Sequence, residues 1–169
     1  MCIRDRVENA CTAVECARAM GLADEHIRFG IEHAKNPARF EKLAENPSVI
    51  YDGAHNPDGI SALIRAMDRY FPGKARTVVF ACMRDKDYLG SLHMLARADV
   101  TNFVFTTVQN NERAMGAEAL AAAAAGDGIL GESAPTLYAA LDMARAYGNP
   151  VFVCGSLYLY ADLPKEEKR

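Results

Sequence analysis

Most of the short signatures that would reveal this protein's chemistry at a glance are missing. There is no GxxxxGK(S/T) phosphate-cradling loop: Gly73-Lys74 is followed by Ala75, which has no hydroxyl. No GxGxxG follows a strand-like run, no GxSxG nucleophile elbow occurs, and no Cys/His cluster has metal-ligand spacing. The five cysteines, Cys2, Cys11, Cys16, Cys82 and Cys154, form no CxxC pair and are odd in number. That usage suits thiols in a reducing cytosol better than disulfides or a zinc site. No stretch approaches the length of a membrane span and no secretory signal is visible, so a cytoplasmic protein without a membrane partner is expected. Charge of one sign is missing too. With a net charge of −3 and acids and bases interspersed, nucleic acid is not an expected partner.

What is present is a 169-residue chain, half of it apolar, enough for one ordinary domain or one domain plus part of another. Its richest stretch is VIYDGAHNPDGISALIRAM, from Val49 to Met67. Val49, Ile50 and Tyr51 suit a buried strand, and Gly53 permits a tight turn. Asn56 is a good N-cap, Pro57 fits the first helical position, and Asp58 complements the positive end of the helix dipole. Ile60, Leu63, Ile64, Met67 and Phe71 then recur at helical spacing. An acid, Asp52, and an imidazole, His55, therefore sit where a strand hands over to a helix, a place where α/β folds bind phosphate-bearing ligands. The same residues equally suit a strand–turn–helix with a bare polar loop.

Elsewhere the chain alternates. Strands are expected at Val49–Tyr51, Thr77–Ala81, Phe103–Thr106, Gly128–Leu130 and Val151–Cys154. Helices are expected at Pro57–Tyr70, Tyr88–Ala96, Ala117–Ala125 and about Thr136 to Tyr147. Before them come a helix from Val7 ended by Gly21, and a second one capped by Asp24 with Ile27, Ile31 and Ala34 inward. This pattern predicts an α/β fold, a Rossmann-like, mostly parallel sheet with helices on both faces, preceded by two helices. MCIRDR at residues 1–6 does not join the Val7 pattern and resembles translated adapter sequence, an expected non-native start. Residues 7–38 are read as the end of an adjoining domain plus linker, 39–163 as the main domain, and 164–169 as a charged tail.

Parallel strands place all their C-terminal ends on one edge. That edge collects Asp52–Asp58, Arg84–Asp87, Thr107–Arg113 and Gly155-Ser156, where open α/β sheets hold ligands. Each group also has a plain structural role. Asp85-Lys86-Asp87 suits a solvated turn, and Ser156 can cap one. Arg39 suits a surface ion pair with Glu41 or Glu45, whereas Arg113 could meet phosphate or carboxylate.

DGAHNPDG, DKDY and GSLYL, in that order, resemble the C-terminal domain of folylpolyglutamate synthase, a family that often doubles as dihydrofolate synthase within the Mur ligase superfamily. VENACTAVECARAM is similar to the last helix of that family's ATPase domain. NPARFEKL is similar to its PGRxE linker, with Ala38 in place of the usual glycine. The resemblance runs from Val7 to about Leu163. It implies a ligase that uses ATP and Mg2+ to form an acyl phosphate on a folate or pteroate substrate, which the amine of L-glutamate then attacks. It assigns Asn9, Arg39 and Asp52 to ATP, and His55 to the γ-phosphate or glutamate, with Asp52 and His55 in catalytic roles. Ser156 is assigned to glutamate. Arg113 falls where Mur ligases carry an arginine in an Asn-Pro-Arg loop. The P-loop and the metal ligands are expected on an upstream domain of the same protein, usually a monomer, leaving this chain inactive alone. The rivals are a Mur-type peptidoglycan or cyanophycin-like ligase domain, whose DYAHNP and GKGHE-like segments differ from those here, and a non-catalytic nucleotide-binding module.

Overall fold

A computed structural model of the chain describes residues 3–34 and 36–163. Met1, Cys2 and the charged tail at 164–169 lie outside the described residues. The order is α1 (Ile3–Ala19), α2 (Asp24–His33), β1 (Glu41–Glu45), β2 (Ser48–Tyr51), α3 (Pro57–Tyr70), β3 (Arg76–Phe80) and α4 (Tyr88–Ala96). Then follow β4 (Val100–Phe105), α5 (Ala117–Gly126), β5 (Glu132–Ser133), α6 (Leu137–Ala146), β6 (Val151–Cys154) and a 3-10 turn at Tyr158–Asp162. The six strands form one sheet in the order β1-β2-β6-β3-β4-β5. β1 is antiparallel to β2, and the other neighbours are parallel. This is the expected α/β architecture, with two helices ahead of it.

Alternation along the strands builds two cores. Val49, Tyr51, Val79, Val104, Val151 and Val153 face α6, where Leu137, Ala140, Leu141 and Ala144 repeat at helical spacing. Ile50, Val78, Phe80, Phe103, Phe105 and Phe152 face Ile60, Leu63 and Met67 of α3, Leu92 and Leu95 of α4, and Leu120 of α5. Every residue of β3 and β6 is buried, as expected of parallel strands covered on both faces.

Four expectations need correction. β1 is a strand where none is expected, because its apolar signal is a single buried residue, Leu43, in a segment otherwise mostly charged. Gly128–Leu130 is not a strand: Ile129 packs into the α3-side core, and the strand is the two exposed residues Glu132–Ser133. Asp24 is the first residue of α2 and not its cap; Ala23 holds that position with no side-chain bond. The inward face assigned to Ile27, Ile31 and Ala34 is not there either, since α2 buries no residue and Ile31 is exposed.

Candidate functional site

The strand-to-helix turn after β2 is fixed by its own polar groups. Asn56 Oδ1 accepts from the Gly59 N–H at 2.8 Å, capping α3 one residue before Pro57. Asp52 is buried, and its two oxygens are already engaged. Oδ2 accepts from the Phe40 N–H at 2.8 Å and Oδ1 from the Ala54 N–H at 2.9 Å. Burial pushes its carboxyl above the usual carboxylate range, against the pull of those N–H groups and of Arg39. Asp52 thus joins the segment before β1 to the end of β2. The same seam is closed from the other side, where the Gly53 N–H donates to Ala38 O at 2.8 Å. Gly53 lets the loops close on it: a Cβ would lie 2.5 Å from Leu157 Cδ1 and 2.6 Å from Arg39 Nη1, so both side-chain ends would have to move aside.

His55 Nδ1 lies 2.8 Å from Gly53 O. A carbonyl can only accept, so Nδ1 carries a proton and the neutral ring presents Nε2 as an acceptor. The next loop of the rim locks onto this one, with the Gly155 N–H donating to Ala54 O at 2.7 Å. Gly155 has φ +97°, and a Cβ there would sit 2.2 Å from Ala81 O, so only glycine fits. Tyr51 Oη donates to Ser156 O at 2.8 Å, and Ser156 Oγ accepts from the Tyr158 N–H at 3.2 Å. The serine therefore does cap a local turn, while its hydroxyl proton is left to give.

Two clefts result. One, of about 510 Å³, is lined by Arg39, Asp52, His55, Asp58, Ser61 and Arg65. The other, of about 300 Å³, is lined by His55, Lys86, Arg113, Ser156, Leu157 and Tyr158. Of the residues marked in the sequence, Arg39, Asp52 and His55 come together in the first, and His55, Arg113 and Ser156 in the second. His55 belongs to both. Asn9 lines neither cleft and is exposed on α1. Arg113 Nη2 donates to Asp85 Oδ2 at 2.6 Å, which holds the Asp85 carboxyl below the usual range. Glu41, one partner considered for Arg39, accepts from the Ala38 N–H and from Tyr160 Oη.

Arg65 and Lys86 are cleft residues that sequence reasoning missed. The signal for Arg65 was its place two turns into α3, on the face of Ser61, whose Oγ accepts from Arg65 Nη1 at 2.7 Å. Lys86 lay inside the DKD loop and read as a solvated turn. Among the described residues no group of three or more His, Cys, Asp or Glu could hold a metal ion, and no helix is long and apolar enough to cross a membrane.

Known proteins share this fold. The chain is 36% identical over 141 residues to the folylpolyglutamate synthase of Lacticaseibacillus casei, covering 82% of this chain and 31% of that protein. It superposes on Escherichia coli FolC, solved in complex with DHPP and ADP, with a TM-score of 0.76 and 33% identity over 90% of this chain and 37% of that one. It also superposes on the bifunctional folylpolyglutamate synthase/dihydrofolate synthase of Yersinia pestis, solved with AMPPNP and Mn ion. That match has a TM-score of 0.69 and 30% identity, covering 83% of this chain and 33% of that one. The chain thus spans about a third of the length of these relatives. Residues 38–157, from the strained Ala38 seam to the end of the GSL loop, match the family described as Mur ligase, glutamate ligase domain. With that match, which takes in every lining residue of the two clefts except Tyr158, the chain belongs to the Mur ligase C-terminal domain family, of the folylpolyglutamate synthase/dihydrofolate synthase type.

Proposed function

We propose that this chain is the glutamate-binding part of an ATP-dependent ligase that joins L-glutamate to a folate or pteroate carboxyl group through an acyl phosphate. In this reading the larger cleft takes ATP, with Arg39 offering a guanidinium fork to its phosphates and buried Asp52 an acceptor to a ribose hydroxyl or an ammonium. The smaller cleft takes L-glutamate, with Arg113 and Lys86 for its carboxylates and the Ser156 hydroxyl as a further donor. The observation that carries the reading is the position of His55, which lines both clefts.

The chemistry explains why such a residue is useful. ATP transfers its γ-phosphoryl group to the substrate carboxylate, giving an acyl phosphate and ADP. The glutamate amine, which must be deprotonated, adds to the carbonyl carbon; the tetrahedral adduct expels phosphate, leaving an amide. An acceptor between the two clefts, such as Nε2 of His55, can take the amine proton as the bond forms. A divalent cation would spread the phosphate charge. The described residues offer no cluster for one, so its ligands are assigned to the upstream P-loop domain that α1 and α2 would join.

Two experiments test this. The genomic sequence upstream of Val7 should encode a GTNGKGS-like P-loop; a stop codon there with no such domain ends the ligase reading. In the joined protein, His55→Gln should lower the ligation rate about 10²-fold or more, with folding unchanged. Wild-type turnover would remove His55 from the mechanism.

A further inference from the structure

Arg113 of the smaller cleft is held in an ion pair with Asp85, a residue that the reaction above leaves without a part. Arg113 and Asp85 meet at 2.6 Å across two rim loops, with 58% and 54% of their side chains exposed. A pair so open to water is weakly held, and a competing carboxylate can displace it. The backbone beneath it is fixed. The Arg84 N–H donates to Arg113 O at 2.9 Å, and the Met115 N–H to Cys82 O at 3.0 Å. Met83 and Ala114 form an antiparallel bridge, and Arg113's own N–H donates to Asn111 Oδ1 at 3.1 Å. Only the guanidinium head needs to turn for Arg113 to change partner. Lys86, next to Asp85 in sequence, already lines the cleft. Two cations thus face a small cavity, and one of them already grips a carboxylate.

We propose that Asp85 is an internal stand-in for a ligand carboxylate: it holds Arg113 at the cleft and is exchanged for one carboxylate of an entering dicarboxylic amino acid. The proposal rests on assigning the smaller cleft to L-glutamate. Exchange keeps the guanidinium paired throughout, because one carboxylate leaves as another arrives. It also acts as a filter. A ligand without a carboxylate cannot compete with Asp85 for Arg113, while a dicarboxylate can displace Asp85 and still offer its second carboxylate to Lys86. Asp85 therefore costs the cleft some affinity in return for selectivity.

The test is an NMR titration of this chain with L-glutamate, and with L-glutaminamide, which keeps the ammonium but neither carboxylate. Asp85→Asn should lower the Kd for L-glutamate about threefold, as expected for freeing an exposed pair. It should leave the response to L-glutaminamide unchanged, and Arg113→Ala should weaken L-glutamate binding. If Asp85→Asn binds L-glutamate as the wild type does, or more weakly, the exchange is wrong even though the cleft assignment stands. If L-glutamate perturbs none of His55, Lys86 and Ser156 in the wild-type chain, the cleft assignment itself fails and the exchange with it.

Discussion

Residues 3–34 and residues 36–163 follow opposite rules, although both carry apolar residues at helical spacing. α3 turns Ile60, Ala62, Leu63 and Met67 into the sheet and buries all four. α2, by contrast, buries nothing, and Phe29 is 63% and Met20 80% exposed on the arm that α1 and α2 form. Periodicity thus tells that a helix has a face to hide; it does not tell against what. A ten-residue helix that buries none of its residues is marginal in water. The contrast is what the proposed function would require, with the arm built to pack on an adjoining ATPase domain and the rest folding around its own two cores.

The widest gap between the two regions should appear in two phenylalanines. Phe152 sits fully buried in β6, edge-on to Phe71 at 5.3 Å. Its replacement by Ala should cost about 3–5 kcal/mol in urea unfolding of the chain. Phe29→Ala should stay within about 0.5 kcal/mol. A Phe29 cost above about 1 kcal/mol would break the comparison, because it would mean that the arm packs after all.

Asp52 ties the segment leading into β1 to the end of β2, and its effect should come next. Asp52→Ala leaves the Phe40 and Ala54 N–H groups without their acceptor, a loss of about 2–3 kcal/mol. Any activity lost in that variant would therefore mix stability with chemistry, which makes Asp52→Asn the better probe. Because burial raises the Asp52 carboxyl in the folded state, the folded chain takes up that proton at higher pH than the unfolded chain does. Its contribution to stability should then grow as pH falls from the raised value towards the ordinary one, near about 3.9. Wild type should gain on Asp52→Asn over that window in parallel denaturation curves. A difference that shrinks instead would mean that the two N–H bonds outweigh desolvation.

The sequence made some of this legible and hid the rest for physical reasons. Asn56-Pro57-Asp58 announces the start of α3, and its apolar residues repeat cleanly, so Pro57–Tyr70 is read to the residue. Val151–Cys154 is equally plain, a short apolar run inside a sheet covered on both sides. The edge strands are the opposite case. β1 buries one residue of five and β5 none, so neither carries the alternation that marks a strand. The same logic holds for the site. Parallel topology gathered Asp52, His55, Arg113 and Ser156 on one rim, but the division into two clefts meeting at His55 depends on how Gly155 docks against Ala54, a contact of backbone atoms that residue types do not announce.

Ala38 offers the finest adjustment of the seam. The resemblance to the PGRxE linker implies glycine there, and the structure supplies a reason: Ala38 lies at φ +57°, a left-handed conformation that a Cβ disfavours by about 1–2 kcal/mol. Yet the methyl group is buried in the α6-side core, where it contributes about 0.8 kcal/mol. Glycine would also give the unfolded chain about 0.4–1 kcal/mol more freedom to lose. These terms nearly cancel, so Ala38→Gly should change stability by less than about 0.5 kcal/mol. Its effect should instead be local. The Gly53 N–H that donates to Ala38 O at 2.8 Å should exchange with solvent faster, because the turn holding the arm to the sheet gains backbone freedom while the sheet does not. Unchanged exchange at Gly53 alongside unchanged stability would mean that the Asp52 bond to Phe40 holds the seam alone, and that the alanine in this chain is a tolerated strain with no bearing on how the arm is hinged.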